Sequence, residues 1–151
     1  MQILMVCLGN ICRSPMAEGI MRQKINEYGL NAEVDSCGTA AYHIGQSPDK
    51  RAIQTLRKYN IDISKHRGRQ FDRTDFDKFD AIFVMDTENF KDIIKNTRNQ
   101  GDREKVKLLL DVLYPGMQKI VPDPYYGDLA GFDDTYRLIN QACDKIARQL
   151  V

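Results

Sequence analysis

A thiol and a guanidinium frame one short loop near the start of the chain. The segment reads Cys7-Leu8-Gly9-Asn10-Ile11-Cys12-Arg13-Ser14-Pro15, with five residues between Cys7 and Arg13. If those five curl around a centre, their backbone N–H groups point inward as an anion-binding nest. Gly9 suits a positive φ or a close backbone approach, and Asn10 is the residue type that next best tolerates the left-handed region. A helix opening at Pro15 turns its positive end to the same point, and the missing N–H of proline costs nothing there. A thiol at a helix N-terminus beside an arginine ionises readily, and thiolate is the form that attacks phosphorus. Arg13 offers a planar fork able to grip two phosphate oxygens. Ser14 can donate its hydroxyl to Cys7. The chemistry this predicts is phosphoryl transfer to sulfur, with Leu8, Gly9, Asn10, Ile11, Cys12 and Ser14 holding the phosphate. The P-loop alternative fails, because no Gly-Lys-Ser/Thr follows the loop.

A second chemical element lies far along the chain, in Pro122-Asp123-Pro124-Tyr125-Tyr126-Gly127-Asp128. Prolines on both sides disfavour helix and fix local φ, so Asp123 is expected on a stiff, extended loop. A phenolic leaving group departs more easily when an acid protonates it. Asp123 is the candidate donor. Thiolate, guanidinium and carboxylate suffice for this reaction, so neither a metal nor a cofactor is expected.

The elements that must position these groups follow from hydrophobic spacing. Ile3 to Val6 is continuously apolar and reads as a buried strand. From Pro15 to about Tyr28, Met16, Ile20, Met21 and Ile25 fall near one helical face, and Gly29 is a natural stop. Ala32 to Ser36 predicts a second strand. Ser47-Pro48-Asp49 predicts a helix capped by Ser47 with Pro48 in its first turn, fading near Asn60. Ala81 to Met85 predicts a third strand, with Thr87 capping a helix to about Lys95. Val106 to Leu110 predicts a fourth strand. Phe132 to Leu150 predicts a long final helix carrying Tyr136, Ile139, Cys143, Ile146 and Leu150 on one side. Strands alternating with helices argue for a parallel α/β sheet covered on both faces. Ligands of such sheets bind beyond the carboxyl ends of the strands, which is where the Cys7 loop lies.

Length and composition bound the rest. A chain of 151 residues, 42% apolar and 28% charged, fits one soluble domain spanning 1–151. A formal charge of +1 gives no electrostatic case for nucleic acid or membrane partners. Six residues before Cys7, with no basic flank, are too few for a signal peptide or membrane span, so a cytoplasmic location is expected. Cys7, Cys12, Cys37 and Cys143 form no C-x-x-C pair and no disulfide framework, so reduced thiols are expected.

The C-x5-R-S-P loop at Cys7 to Pro15, paired with Asp123-Pro124-Tyr125-Tyr126 near the other end, resembles the low-molecular-weight protein tyrosine phosphatases. The resemblance covers essentially the whole chain. It implies a flavodoxin-like, three-layer α/β/α fold around a central four-stranded parallel sheet. It implies a protein-tyrosine phosphatase working through a cysteinyl-phosphate, with Cys7 as nucleophile, Arg13 as phosphate ligand and Asp123 as general acid and then base. Ser36 and His66 resemble hydrogen-bonding residues that, with Asn10 and Ser14, shape the loop. The residues alone read His66 as part of a basic surface turn. Tyr42, otherwise a loop aromatic, resembles one wall of the substrate cleft, and Tyr125 and Tyr126 the other. Asp86 resembles a structural acid, and His43 reads as an ordinary loop residue. Cys37 stands where family members usually carry alanine. Relatives with a second cysteine at the position of Cys12 can form a disulfide with the nucleophile, which implies redox sensitivity. The expected partners are a phosphotyrosine-containing protein or a small phosphoester, with the chain a monomer or weakly self-associating. Two other readings stay open: an arsenate reductase on the same fold, disfavoured because no cysteine lies between Cys37 and Cys143, and a non-catalytic phosphotyrosine-binding or redox-sensing module.

Overall fold

The computed structural model describes residues 1–151. Four strands, β1 (Gln2–Cys7), β2 (Glu33–Gly38), β3 (Ala81–Val84) and β4 (Val106–Leu108), form one sheet in the order β2-β1-β3-β4. Every neighbouring pair is parallel, with Ile3 opposite Val34 on one side and Ala81 on the other. The expected parallel α/β sheet is present. The helices are α1 (Arg13–Tyr28), α2 (Lys50–Arg57), α3 (Asp75–Lys78), α4 (Thr87–Ile94), α5 (Gln100–Lys105) and α6 (Leu129–Leu150).

Alternation along β1 divides the core. Ile3, Met5 and Cys7 face a cluster with Met16, Ile20 and Met21 of α1 and Phe132, Ile139 and Cys143 of α6. Leu4 and Val6 face the opposite cluster, where Phe76, Phe79 and Ile93 pack beneath Ile82 and Val84 of β3. Strands buried on both faces read as continuous apolar runs, which is why β1 and β3 were legible without alternation.

Several boundaries differ from the sequence-based expectation, and local hydrogen bonds account for each. Helix α1 opens at Arg13, so Pro15 falls third rather than first, still among the N–H positions that lack a helical acceptor. Helix α2 is capped by Asp49, not Ser47, because the Asp49 carboxylate accepts the Arg51 N–H at 2.8 Å. Asp86, not Thr87, caps α4 by accepting the Asn89 N–H at 2.8 Å. Asp128 caps α6 and extends it three residues before Phe132. The fourth strand ends at Leu108, and Leu109–Val112 tightens into a 3-10 turn. The short helices α3 and α5 had no apolar periodicity to announce them.

The order β2-β1-β3 makes the carboxyl end of β1 a switch point: the chain leaves it for β2 on one side, then crosses back to β3 on the other. The crevice at such a point is where α/β sheets bind ligands. Cys7 ends β1, and Asp86 follows β3 there.

Candidate active site

The loop from Leu8 to Cys12 turns its two kinds of backbone group in different directions. Most of the carbonyls at its two ends are occupied. Cys7 O accepts from Thr39 N at 2.9 Å, Leu8 O from Ala40 N at 3.0 Å, Ile11 O from Asp49 N at 2.8 Å and Cys12 O from Met16 N at 3.1 Å. The N–H groups of Leu8, Gly9, Ile11, Cys12, Arg13 and Ser14 make no hydrogen bond within the protein. A run of unpaired donors at a helix N-terminus is an anion-binding nest. Asn10 supplies the sharp turn at φ 58°, in the left-handed region. Gly9 does not need a positive φ. It allows a close approach instead, since a Cβ there would lie 2.9 Å from the His43 ring. Gly38 works likewise from below, where a Cβ would sit 2.7 Å from Leu8 O.

Cys7 is buried to 3% exposure at the floor of a cavity of about 240 Å³. Its Sγ lies 3.0 Å from Ser14 Oγ and accepts the Asn10 N–H at 3.3 Å. Asn10 Nδ2 donates to Ser14 Oγ at 2.7 Å, leaving the single hydroxyl proton to the sulfur or to Cys37 O, 3.3 Å away. The other Nδ2 proton goes to Ser36 Oγ at 3.0 Å, and Ser36 Oγ donates to Glu18 at 2.7 Å. Asn10 Oδ1 accepts the Arg69 N–H at 3.0 Å, which fixes the amide's orientation. His66 Nε2, 3.1 Å from the same oxygen, is therefore the protonated ring nitrogen. Burial pushes the His66 imidazole pKa down, against the opposing pull of the Glu18 carboxylate 3.6 Å from Nδ1. So Asn10, Ser14, Ser36 and His66 form one buried network behind the loop. Asn10 and Ser14 are fully buried and touch the sulfur from behind rather than facing the cavity.

Arg13 is held at one end and free at the other. Nη1 donates to Asp86 Oδ2 and to Val121 O, both at 2.8 Å. The Nε–Nη2 edge has no hydrogen bond, and Nη2 lies 3.7 Å from Asp123 Oδ2. That edge is the bidentate face of the fork. Asp123 is 36% exposed at the cavity rim and accepts the Tyr125 N–H on Oδ1 at 3.1 Å. Tyr42 and Tyr125 stand on the cavity wall with Tyr126, and Tyr126 is 90% exposed.

A family model described as low molecular weight phosphotyrosine protein phosphatase matches residues 2–151. The chain belongs to that family. Its activity is that of a phosphotyrosine protein phosphatase, a hydrolase. The family's enzyme from Schizosaccharomyces pombe is 48% identical over 138 residues, covering 89% of this chain and 87% of that one. A protein tyrosine phosphatase of Entamoeba histolytica, solved with Hepes in its active site, superposes with a TM-score of 0.93 at 34% identity, covering 99% and 96%. YwlE of Bacillus subtilis, an arginine phosphatase solved as a mutant with a phosphorylated active-site serine, superposes with a TM-score of 0.90 at 27% identity, covering 99% and 95%. The flavodoxin-like α/β arrangement is that of these phosphatase structures.

Several residues at this family site gave no sequence signal. His43 lines the cavity, its Nδ1 2.8 Å from Gln46 Oε1. Glu18 is buried inside α1 and Arg69 joins Asn10 to Asp35 and Asp75. Arg51 reaches the Asp123 loop from α2. Charged residues within amphipathic segments look solvated until the tertiary partner is seen. All four cysteines are free thiols. Burial, then the charge of Asp49, pushes the Cys12 thiol far above its ordinary pKa. No helix is long and apolar enough to cross a membrane.

Proposed function

We propose that residues 1–151 act as one catalytic domain that transfers phosphate from tyrosine to Cys7 and then to water, without a metal or cofactor. The observation carrying this reading is a buried thiol surrounded by the unpaired amides of Leu8, Gly9, Ile11, Cys12, Arg13 and Ser14. Phosphate oxygens take those amides and the Nε–Nη2 edge of Arg13, which places phosphorus over Cys7 Sγ. The sulfur attacks in line while the bond to the phenolic oxygen breaks, and Asp123 gives that oxygen its proton. The Ser14 hydroxyl supports the sulfur as thiolate, both before attack and when it leaves. Asp123, now a carboxylate, takes a proton from water as that water attacks the cysteinyl-phosphate and releases phosphate. The donors around the phosphate are fixed before substrate arrives, so little reorganisation accompanies the charge shift.

Substrate shape follows from the walls. Leu8, Ile11, Tyr42, Tyr125 and Tyr126 offer apolar and aromatic surface above the thiol. A phenyl ring desolvates cheaply there and spans the depth, whereas a serine phosphate ends short of the sulfur. Among the lining residues Asp123 is the one carboxylate, so a guanidinium such as phosphoarginine presents would find a single charged partner. Phosphotyrosine proteins or small aryl phosphoesters are the proposed substrates, met in the cytoplasm.

The test pairs two variants. Cys7→Ser should lose turnover yet retain phosphate or vanadate binding, and substantial residual hydrolysis would end the covalent mechanism. Asp123→Asn should lose roughly 10²–10⁴-fold in kcat/KM on phosphotyrosine and far less on p-nitrophenyl phosphate. Equal losses remove Asp123 as the acid. Phosphoarginine assayed beside phosphotyrosine decides which leaving group the walls select.

A further inference from the structure

The Asp123 loop has little of its own to hold it. Pro122 to Asp128 contains no helix or strand, and of these residues only Pro124 is buried. Yet the acid must stay in register with a phosphate loop more than a hundred residues earlier. Arg13 reaches Val121 O just before the loop, and one further side chain holds the loop itself. Arg51 Nη1 donates to Gly127 O at 2.8 Å, and Nη2 donates to Tyr125 O at 2.8 Å. The same guanidinium grips Asp49 from behind, Nε to Oδ1 at 3.0 Å and Nη2 to Oδ2 at 2.9 Å. Its plane is supported by rings, with Cζ 4.7 Å from the Phe132 centroid and 5.8 Å from that of Tyr125.

We propose that Arg51 is a positioning residue that sets the place of the Asp123 carboxylate relative to the phosphate loop. The inference rests on Asp123 being the general acid. Two continuous chains of contacts carry it. On one side, Asp49 N–H donates to Ile11 O, so the residue Arg51 grips is itself fastened to the phosphate loop. On the other, the Tyr125 carbonyl accepts from Arg51 while the Tyr125 N–H donates to Asp123 Oδ1. Holding that one residue's backbone therefore aims the acid. The guanidinium also keeps the Asp49 carboxyl below the usual carboxylate range, so the anion it needs as an anchor persists into acid. Lysine cannot reproduce the arrangement, because a point-like ammonium does not meet four acceptors lying around a plane.

The experiment measures kcat/KM across aryl phosphates of falling leaving-group acidity, from p-nitrophenyl phosphate to phenyl phosphate, for the parent, Arg51→Met, Arg51→Lys, Asp123→Asn and the Arg51→Met/Asp123→Asn double variant. Thermal unfolding and vanadate inhibition are measured beside them. Arg51→Met should lose about 10- to 100-fold on phenyl phosphate, part of the general-acid contribution, and under about threefold on p-nitrophenyl phosphate. Arg51→Lys should fall between it and the parent. Vanadate inhibition should shift by less than about threefold, and in the Asp123→Asn background Arg51→Met should steepen the series no further, as expected when one residue acts through the other. Equal losses across the series, or weakened vanadate binding in step with rate, would mean that Arg51 supports the phosphate loop or the fold, and would overturn the inference. If Asp123→Asn steepens the series and both Arg51 variants leave it unchanged, the inference fails alone. If Asp123→Asn leaves the series flat, the assignment of Asp123 fails and the inference with it.

Discussion

Replacing Asn10 tests whether the buried network behind the phosphate loop is what holds that loop in shape. The side chain makes four hydrogen bonds, to Ser14 Oγ, Ser36 Oγ, Arg69 N and His66 Nε2, all between 2.7 and 3.1 Å. It is fully buried, so water does not replace them. Asn10→Ala removes all four, at about 1 kcal/mol apiece. It also places alanine at φ 58°, where an ordinary L-residue is disfavoured by about 1–2 kcal/mol. The expected loss is about 5 kcal/mol, a large share of the ~5–15 kcal/mol typical of a domain.

Urea unfolding measures this directly. With a slope of about 1–3 kcal/mol per molar, the midpoint should fall by about 2 M or more. Asn10→Gly is the internal control. Glycine loses the same four bonds but accepts the backbone angle, so it should recover about 1 kcal/mol relative to alanine. A loss under about 1.5 kcal/mol for Asn10→Ala would refute the reasoning. So would glycine proving the worse substitution, since strain at φ 58° would then be absent.

Three further predictions concern Arg13 and Cys12. Arg13→Lys should lower kcat/KM on p-nitrophenyl phosphate by at least ~10²-fold, because an ammonium cannot both bond Asp86 and Val121 O and present a two-pronged edge. Near-parent activity would remove that grip. Because burial and neighbouring carboxylates keep the Cys12 thiol protonated, iodoacetamide at pH 7 should leave Cys12 unlabelled by peptide mass spectrometry. Labelling of Cys12 at that pH would refute the shift. Cys12→Ser should keep its basal activity but recover less fully with dithiothreitol after peroxide, with sulfinic acid accumulating on Cys7. Recovery equal to the parent's would leave Cys12 a packing residue.

What the sequence made legible was whatever chemistry and spacing keep contiguous. Cys7 to Pro15 carries nucleophile, turn and anion grip within nine positions, so its arrangement was readable before any contact was known. Strands β1 and β3 were readable because burial on both faces leaves each a continuous apolar run. Helix starts were less legible, since Ser47, Asp49, Asp86 and Thr87 are all good caps and only the backbone angle decides among neighbours. Helix α1 misled in another way. Met16, Ile20, Met21 and Ile25 marked one face, but Ser14 and Glu18 are buried on another, because β2 and the His66 segment cover it.

The least legible residues are those that join segments distant in sequence. Arg51 spends its guanidinium on Asp49 and on the distant Tyr125–Gly127 loop, Arg69 on Asp75 and the distant Asp35, and nothing local separates them from Arg57 or Arg67. The division has a physical cause. A reacting group must be a thiol, an acid or a guanidinium at short range from its partner, so its type betrays it. A bracing group needs only donors of the right reach, and long basic side chains have that reach anywhere on the surface. Two loops, one that follows the proposed nucleophile at the end of β1 and one that carries the proposed acid, are held by such braces: Asn10 with Arg69 behind the first, Arg13 and Arg51 across to the second. On the proposed mechanism, the register between thiol and proton donor is set by hydrogen bonds to backbone carbonyls and to Asn10. Substitution of Arg51, which touches no reacting atom, should alter rates by misplacing intact chemistry rather than by removing it.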